Sequence, residues 1–362
     1  MSVGDAHSSM LSALRRPPVA RAALVTMVAV LVLCLLVSAR AGAMALTSRQ
    51  IVGIILDRLG VASPWPFDPQ QAAVVWAIRL PRVTLAALIG AALATSGAAM
   101  QGLFRNPLAD PALLGIASAA SLGAVAAIIF GASLVGELSA SAWLLPAMAF
   151  AGALLSAGII LRVGRIEGRT STALMLLAGV AVNSLGGAGV GLALHVINDA
   201  QLRSLMFWTL GSLSGASFRI IVIAGPLILG STLGLTRLSR ALNALLLGER
   251  EARHLGVSVE GTQRLVVILV ALGVGAAVAV AGVIGFVGLV VPHVVRALFG
   301  PDHRRLLPGS ALAGASLLSL ADAVARTVVA PAELPVGVIT AAIGAPIFLV
   351  QIARSRADVL AR

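Results

Sequence analysis

The chain is a succession of long uncharged apolar runs separated by short stretches that carry most of its charge. Runs of helical length fall at about 22–37, 83–104, 112–130, 143–161, 173–196, 220–235, 265–283, 285–298, 306–325 and 336–352. At 1.5 Å per residue, about 20 apolar residues cross the hydrocarbon of a bilayer. The pattern predicts an all-α integral membrane protein of ten transmembrane helices. Continuous runs, rather than ten-residue segments of alternating polarity, favour this bundle over a β-barrel.

The second run behaves unlike an ordinary membrane helix. It is uncharged from Val83 to Phe104, yet Ala86, Ala87, Gly90, Ala91, Ala92, Ala94 and Gly97 put small side chains all round it. A wall facing lipid would carry Leu, Ile and Phe, so this helix is expected to be surrounded by others. It opens at Arg79 and Arg82 and ends in RNPLADP, where Pro107 and Pro111 each push the preceding residue out of the helical region. GAALATSG at 90–97 and GAAVAVAG at 275–282 share five letters at an offset of 185, which also carries Pro107 onto Pro292. With ten spans the two copies cross the membrane in opposite directions, as the halves of an inverted internal repeat do.

Two stretches between runs have their own periodicity. Residues 47–60 start at a capping Ser48 and place charges on one side, which suits a short interfacial helix. In the loop 238–264, Gly248 separates an apolar stretch from GEREARHLG. Two short helices at an angle are expected there, the second with Ala252 and Leu255 on one side and charges on the other. Such a knob suits a groove on a partner; periodicity alone allows a solvated connector equally well.

Composition agrees with the membrane assignment. Of 362 residues 59% are hydrophobic and 11% charged, with mean hydropathy +1.02, whereas a soluble domain is about a quarter charged. The net charge of +12 has meaning through its placement, and nucleic acid is not expected as a partner. Every one of the 26 basic side chains is arginine. The absence of lysine excludes a phosphate-binding P-loop lysine, so any ATP hydrolysis belongs to another subunit. With the N-terminus in the cytoplasm, 18 of the 26 arginines fall on the cytoplasmic side. That places both termini in the cytoplasm: a tail at 1–18, one transmembrane domain at 19–354 and a tail at 355–362. AGAMA at 41–45 looks like a signal-peptidase site, but the long polar start and the helices behind it favour an uncleaved first span. Cys34 lies in that span, where packing is its expected role.

RLPR, GAALATSG, MQGLFRNPLADPALLG, GVIGFVGLVVPHVVR and AELPVGVITAAIGAPIFL, in that order over residues 70–355, resemble the membrane permeases of ABC importers for haem, ferric siderophores and cobalamin. The resemblance implies the fold of the cobalamin-importer permeases and a homodimer served by two ATPase subunits, which bind the ATP and magnesium, and by a periplasmic substrate-binding protein. It makes Arg79, Arg82 and Arg326 docking points for acidic residues of the binding protein, since arginine forks suit carboxylates. Gly248, Glu249, Arg250, Ala252, Arg253, Leu255 and Gly256 become the knob that presses on the ATPase. Asn106, Leu108 and Thr172 become a gate to a path lined by the fifth and tenth spans, where Ala173 departs from the polar residue common in the family. FRNPLADPALLGI and WTLGSLSG look most like the haem permeases. His195, near the end of the fifth span, is either bonded to a backbone carbonyl within the helix or a transient haem contact; His293 reads as structural.

No catalytic constellation and no metal site is expected from the residues. A secondary transporter would need ionisable groups within its spans, and Asp322 is the chief one here. A membrane scaffold would need neither the repeat nor the knob.

Overall fold

The computed structural model describes residues 17–135, 141–167, 169–330 and 332–360. The tail at 1–18, with Arg15 and Arg16, lies outside these up to position 16. Fourteen helices are formed among the described residues. They are α1 (Pro17–Arg40), α2 (Ser48–Arg58), α3 (Pro69–Leu103), α4 (Ile116–Val135), α5 (Ser141–Val163), α6 (Thr172–Ala193) and α7 (Asp199–Thr209). The others are α8 (Phe218–Arg237), α9 (Ser239–Leu246), α10 (Glu249–His254), α11 (Val259–Ala281), α12 (Val287–Phe299), α13 (His303–Thr327) and α14 (Val336–Leu360). A small hairpin, β1 (Arg165–Ile166) with β2 (Arg169–Thr170), joins α5 to α6.

Seven of these helices are long and apolar enough to span, and α4, α12 and α14 supply shorter apolar stretches, so the ten expected spans are all present as helices. The 13 residues of α12 reach only about 20 Å at 1.5 Å each. Helix α14 continues to Leu360, so the tail read at 355–362 is helical for most of its length. Helix α2 is capped one residue earlier than expected. Thr47 accepts from the Gln50 amide, whose side chain returns the bond to the Thr47 N–H, a capping box that Ser48 cannot make from inside the first turn. Helix α7 lies where only a connector is expected, because its 11 residues mix polarity and are too few to span.

Helix α3 is the hub. Nineteen of the 24 residues from Leu80 to Leu103 are buried, against α8, α11, α12 and α13. Helix α13 runs antiparallel beside it, pairing Arg82 with Asp322, Gly90 with Gly314 and Gly102 with His303. Between hydrocarbon tails helices gain little from excluding water, so association rests on close van der Waals contact, and small residues permit it. A Cβ on Gly90 would lie 2.2 Å from the Gly314 carbonyl oxygen, and one on Gly97 would lie 1.8 Å from that of Gly288 in α12. Helix α11 is the next most buried span. Each of α3 and α11 ends in an irregular stretch before the following helix, as expected for equivalent members of two repeats. The proline correspondence is not local: Pro107 sits in the turn after α3, whereas Pro292 lies inside α12.

Gly97→Ala should cost at least about 1–3 kcal/mol, the usual range for overpacking, because the opposing atom is backbone and cannot swing aside. Gly158→Ala in α5 meets nothing within 4 Å and should be neutral or slightly stabilising. Thermal unfolding of the two variants in detergent compares them directly.

Candidate functional site

The two ends of the α3–α13 pair carry different chemistry. At one end stand Arg79, Arg82 and Arg326. An exposed rim is expected there, but the three are only 3%, 5% and 7% exposed and each is engaged within the chain. Arg82 donates from Nε to Asp322 Oδ1 at 2.9 Å and from Nη1 to both Glu333 oxygens at 2.9 Å. Arg326 Nε lies 3.1 Å from Asp322 Oδ2. Arg326 also donates to the Ala41 carbonyl at 2.9 Å and the Ser38 carbonyl at 3.0 Å. Arg79 donates to the Ala39 and Arg40 carbonyls at 2.8 Å, and to the Met44 carbonyl.

Those carbonyls belong to the end of α1 and the bend after it, where the last helical C=O groups have no partner of their own. Two cations supply donors and oppose the negative end of the helix dipole. Arg79 reaches them from a π-helical turn, Val75–Arg79, inside α3; π-turns of this kind frequently mark functional positions. The residues missed by sequence reasoning are Glu333, the half-exposed acid of the cluster, and the acceptors at Ser38 and Ala41. Only the isolated charge of Asp322 in a span signals the arrangement.

At the other end α3 stops in a Schellman motif, with Arg105 N–H bonded to the Gly102 carbonyl and Asn106 N–H to that of Gln101. Arg105 takes the left-handed position at φ 50° that glycine usually fills. Asn106 Oδ1 accepts from Leu108 N–H and Asp110 Oδ1 from Ala112 N–H, so two Asx turns shape the segment around Pro107 and Pro111. Asn106 and Leu108 are exposed. Thr172 is the first residue of α6, half-buried, after the capping Ser171. It forms no hydrogen bond with Asn106 or Leu108 among the described residues. The turn is tied to α6 elsewhere: Asn183 donates to the Ala112 carbonyl at 3.0 Å and accepts from Ser118 at 2.6 Å.

The loop 238–264 does fold as two short helices, α9 and α10, with Gly248 between them at φ 124° and Gly256 closing α10 at φ 78°. Its two apolar residues differ in burial. Ala252 is fully buried in the chain's own core, while Leu255, past the last turn, is 64% exposed. Glu249 accepts from Gln263 at 3.1 Å, and Arg253 pairs with Glu260 at 2.7 Å, so the charged side of α10 is laced to the start of α11. Arg250 and Gly256 are exposed. Leu246, Leu247 and Leu255 are exposed, the first two on a cleft also lined by Phe299, Pro301, Asp302 and Arg305.

His195 follows α6 with Nδ1 3.1 Å from the Gly191 carbonyl oxygen. It is exposed rather than helix-buried. No group of three or more potential metal ligands occurs among the described residues.

A model of the FecCD transport family matches residues 30–354. The hemin transport system permease protein HmuU of Yersinia pestis is 50% identical over 280 residues, 77% of this chain and 83% of that protein. The cobalamin import system permease BtuC of Halobacterium salinarum is 45% identical over 293 residues, 80% of this chain and 77% of that one. Among solved structures, a metal-chelate type ABC transporter in an inward-facing conformation matches with TM-score 0.77 and 32% identity, covering 92% of this chain and 99% of that one.

Removing Asp322 would strand two buried guanidinium groups against each other. Asp322→Ala should therefore destabilise the protein by about 3–5 kcal/mol, the cost of breaking a buried pair on one side. Glu333→Gln, at the half-exposed position, should cost under about 1 kcal/mol. Parallel denaturation of both variants tests whether the inner carboxylate carries the cluster.

Proposed function

The chain belongs to the FecCD transport family of ABC importer permeases, and from that premise we propose that it moves haem across the bacterial inner membrane as one half of a homodimer. In this reading two ATPase subunits seat on the α9–α10 loop, and a periplasmic binding protein delivers substrate at the end where the arginines lie. The placement of arginines along the chain supports the orientation, since 18 of 26 fall on the loop side. The observation that carries the transport reading is the position of that loop. Helix α9 packs against α3, and Leu246, Leu247 and Leu255 of the loop are exposed. Apolar side chains grouped outside the spans call for a protein partner.

The relative at 50% identity carries a hemin name, and FRNPLADPALLGI with WTLGSLSG points the same way. His195 leaves its Nε2 available beside the exposed face of α6. Relatives at 45% identity with cobalamin names support cobalamin as the alternative. Homodimerisation is supported by the exposed apolar faces of α6 (Leu177, Val180, Leu185, Leu192) and α14 (Ile343, Ile347, Val350). One chain would supply half a path there.

The arginine cluster acts in this reading by holding the end of α1 against α3 and α13, which shapes the rim on which the binding protein sits. Its guanidinium groups are all engaged within the chain.

Hemin-loaded binding protein should raise ATP hydrolysis by the reconstituted complex several-fold. Stimulation by cyanocobalamin-loaded protein, with none by hemin, would move the cargo to cobalamin. On the partner side, burying one leucine contributes about 1.5–3 kcal/mol. Leu255→Ala should therefore weaken ATPase-subunit binding at least tenfold, while Ala252→Arg should unfold the loop itself. Titration of the ATPase subunit onto permease in nanodiscs measures the first, and proteolytic nicking within 238–264 the second.

A further inference from the structure

A second polar group lies at the loop end, on residues outside the gate and the knob. Asn243, on the inward side of α9, accepts on Oδ1 from the His303 backbone N–H at 2.8 Å and faces His303 Nδ1 at 2.9 Å. Its amide donates to Asp302 at 2.6 Å. Burial opposes the charge on Asp302, but the Arg304 N–H, the Asn243 amide and Arg304 and Arg305 outweigh it and hold its pKa below the ordinary value. His303 itself is 1% exposed. Its Nε2 faces α3, toward the Ala98 carbonyl and 2.4 Å from where a Cβ on Gly102 would stand.

The imidazole thus fills the notch left by Gly102, and the Gly102 and Gln101 carbonyls are the acceptors from which the Arg105–Asn106 turn hangs. The Gln101 side chain is held separately by α12, donating to the Leu289 carbonyl at 3.3 Å and accepting from Arg296 at 2.6 Å.

We propose that Asn243 and His303 are positioning residues that carry displacement of the α9–α10 loop to the 104–110 turn, coupling an ATPase seated on the loop to the gate. The proposal rests on the importer reading above. Asn243 moves with α9, and its oxygen fixes both the backbone and the ring of His303. The ring bears on the last turn of α3 without an intervening side chain, so a shift of α9 is passed on as a push on the carbonyls that hold the turn. Helix α12 provides the fixed point through Gln101, which makes the end of α3 pivot rather than translate.

The test uses the reconstituted complex with its ATPase and binding protein, and compares wild type with Asn243→Ala, His303→Ala and the double variant. Substrate moved per ATP hydrolysed should fall at least fivefold in each single variant, and the double should fall no further than either single, because both sit on one path. Unchanged yield per ATP in folded single variants overturns the proposal, as does a double variant whose loss is the product of the two. Should the variants fail to fold, spin labels at Leu247→Cys and Leu108→Cys in a Cys34→Ala background read the link in the otherwise native chain. Both labels should move relative to a Leu155→Cys reference when a non-hydrolysable ATP analogue is added, and motion at Leu247 alone overturns the link. If wild type neither transports nor retains an ATPase subunit, it is the importer reading that fails, and the link falls with it.

Discussion

Backbone-to-backbone contact along α3 is the constraint on which the rest of the structure depends. In lipid no water is released when helices meet, so the hub must gain its energy from dispersion at short range. Gly90 against Gly314 and Gly97 against Gly288 bring α13 and α12 within reach of α3, and the alanines between them leave no room for a path along this seam. In the proposed importer reading the cargo passes instead along a surface left open in one chain, and the faces of α6 and α14 are such surfaces.

Burying three arginines at one end makes sense against the same background. Helix α1 is lightly packed, with Val25, Val32 and Leu33 facing outward, so apolar contact alone would hold it weakly to the hub. Its terminal carbonyls are the groups that most need donors at the edge of the apolar region. Arg79 from α3 and Arg326 from α13 satisfy them, and Asp322 balances the charge between Arg82 and Arg326. The pairing contributes registry as much as stability: α1, α3 and α13 can be assembled in only one way if every buried donor is to find its acceptor.

The span pattern was legible because it rests on length and hydropathy, which the bilayer imposes residue by residue. Small side chains likewise announced the hub. What failed were inferences about direction. Arg79, Arg82 and Arg326 lie at helix ends, where snorkelling to water is usual, and nothing local indicates that carbonyls from residues 38–44 fold back over them. Ala252 and Leu255 sit three apart and should be buried together, but Ala252 packs into the chain's core while Leu255, the cap residue, is left exposed. Helix α7 escaped notice since a short helix of mixed polarity has no signature distinct from a connector. Asn243, His303 and Gly102 are unremarkable letters in sequence, and only the fold brings positions 102, 243 and 303 together.

The α3–α13 pair also decides where movement can occur. It is matched at both ends and in the middle, by Arg82 with Asp322, Gly90 with Gly314 and Gly102 with His303, so bending it would break contacts that nothing else in the apolar region can replace. Motion has to be taken up where the helices stop. Two such places hold non-glycine residues in left-handed backbone, Arg105 at φ 50° after α3 and Phe286 at φ 67° before α12. Each stores local strain of order 1 kcal/mol or more. Arg105 begins the link that follows α3, whereas Phe286 ends the link that follows α11, as the cap of α12. In the proposed link, displacement is concentrated in the 104–110 turn, which hangs on the helix end that His303 contacts, and not at the arginine end.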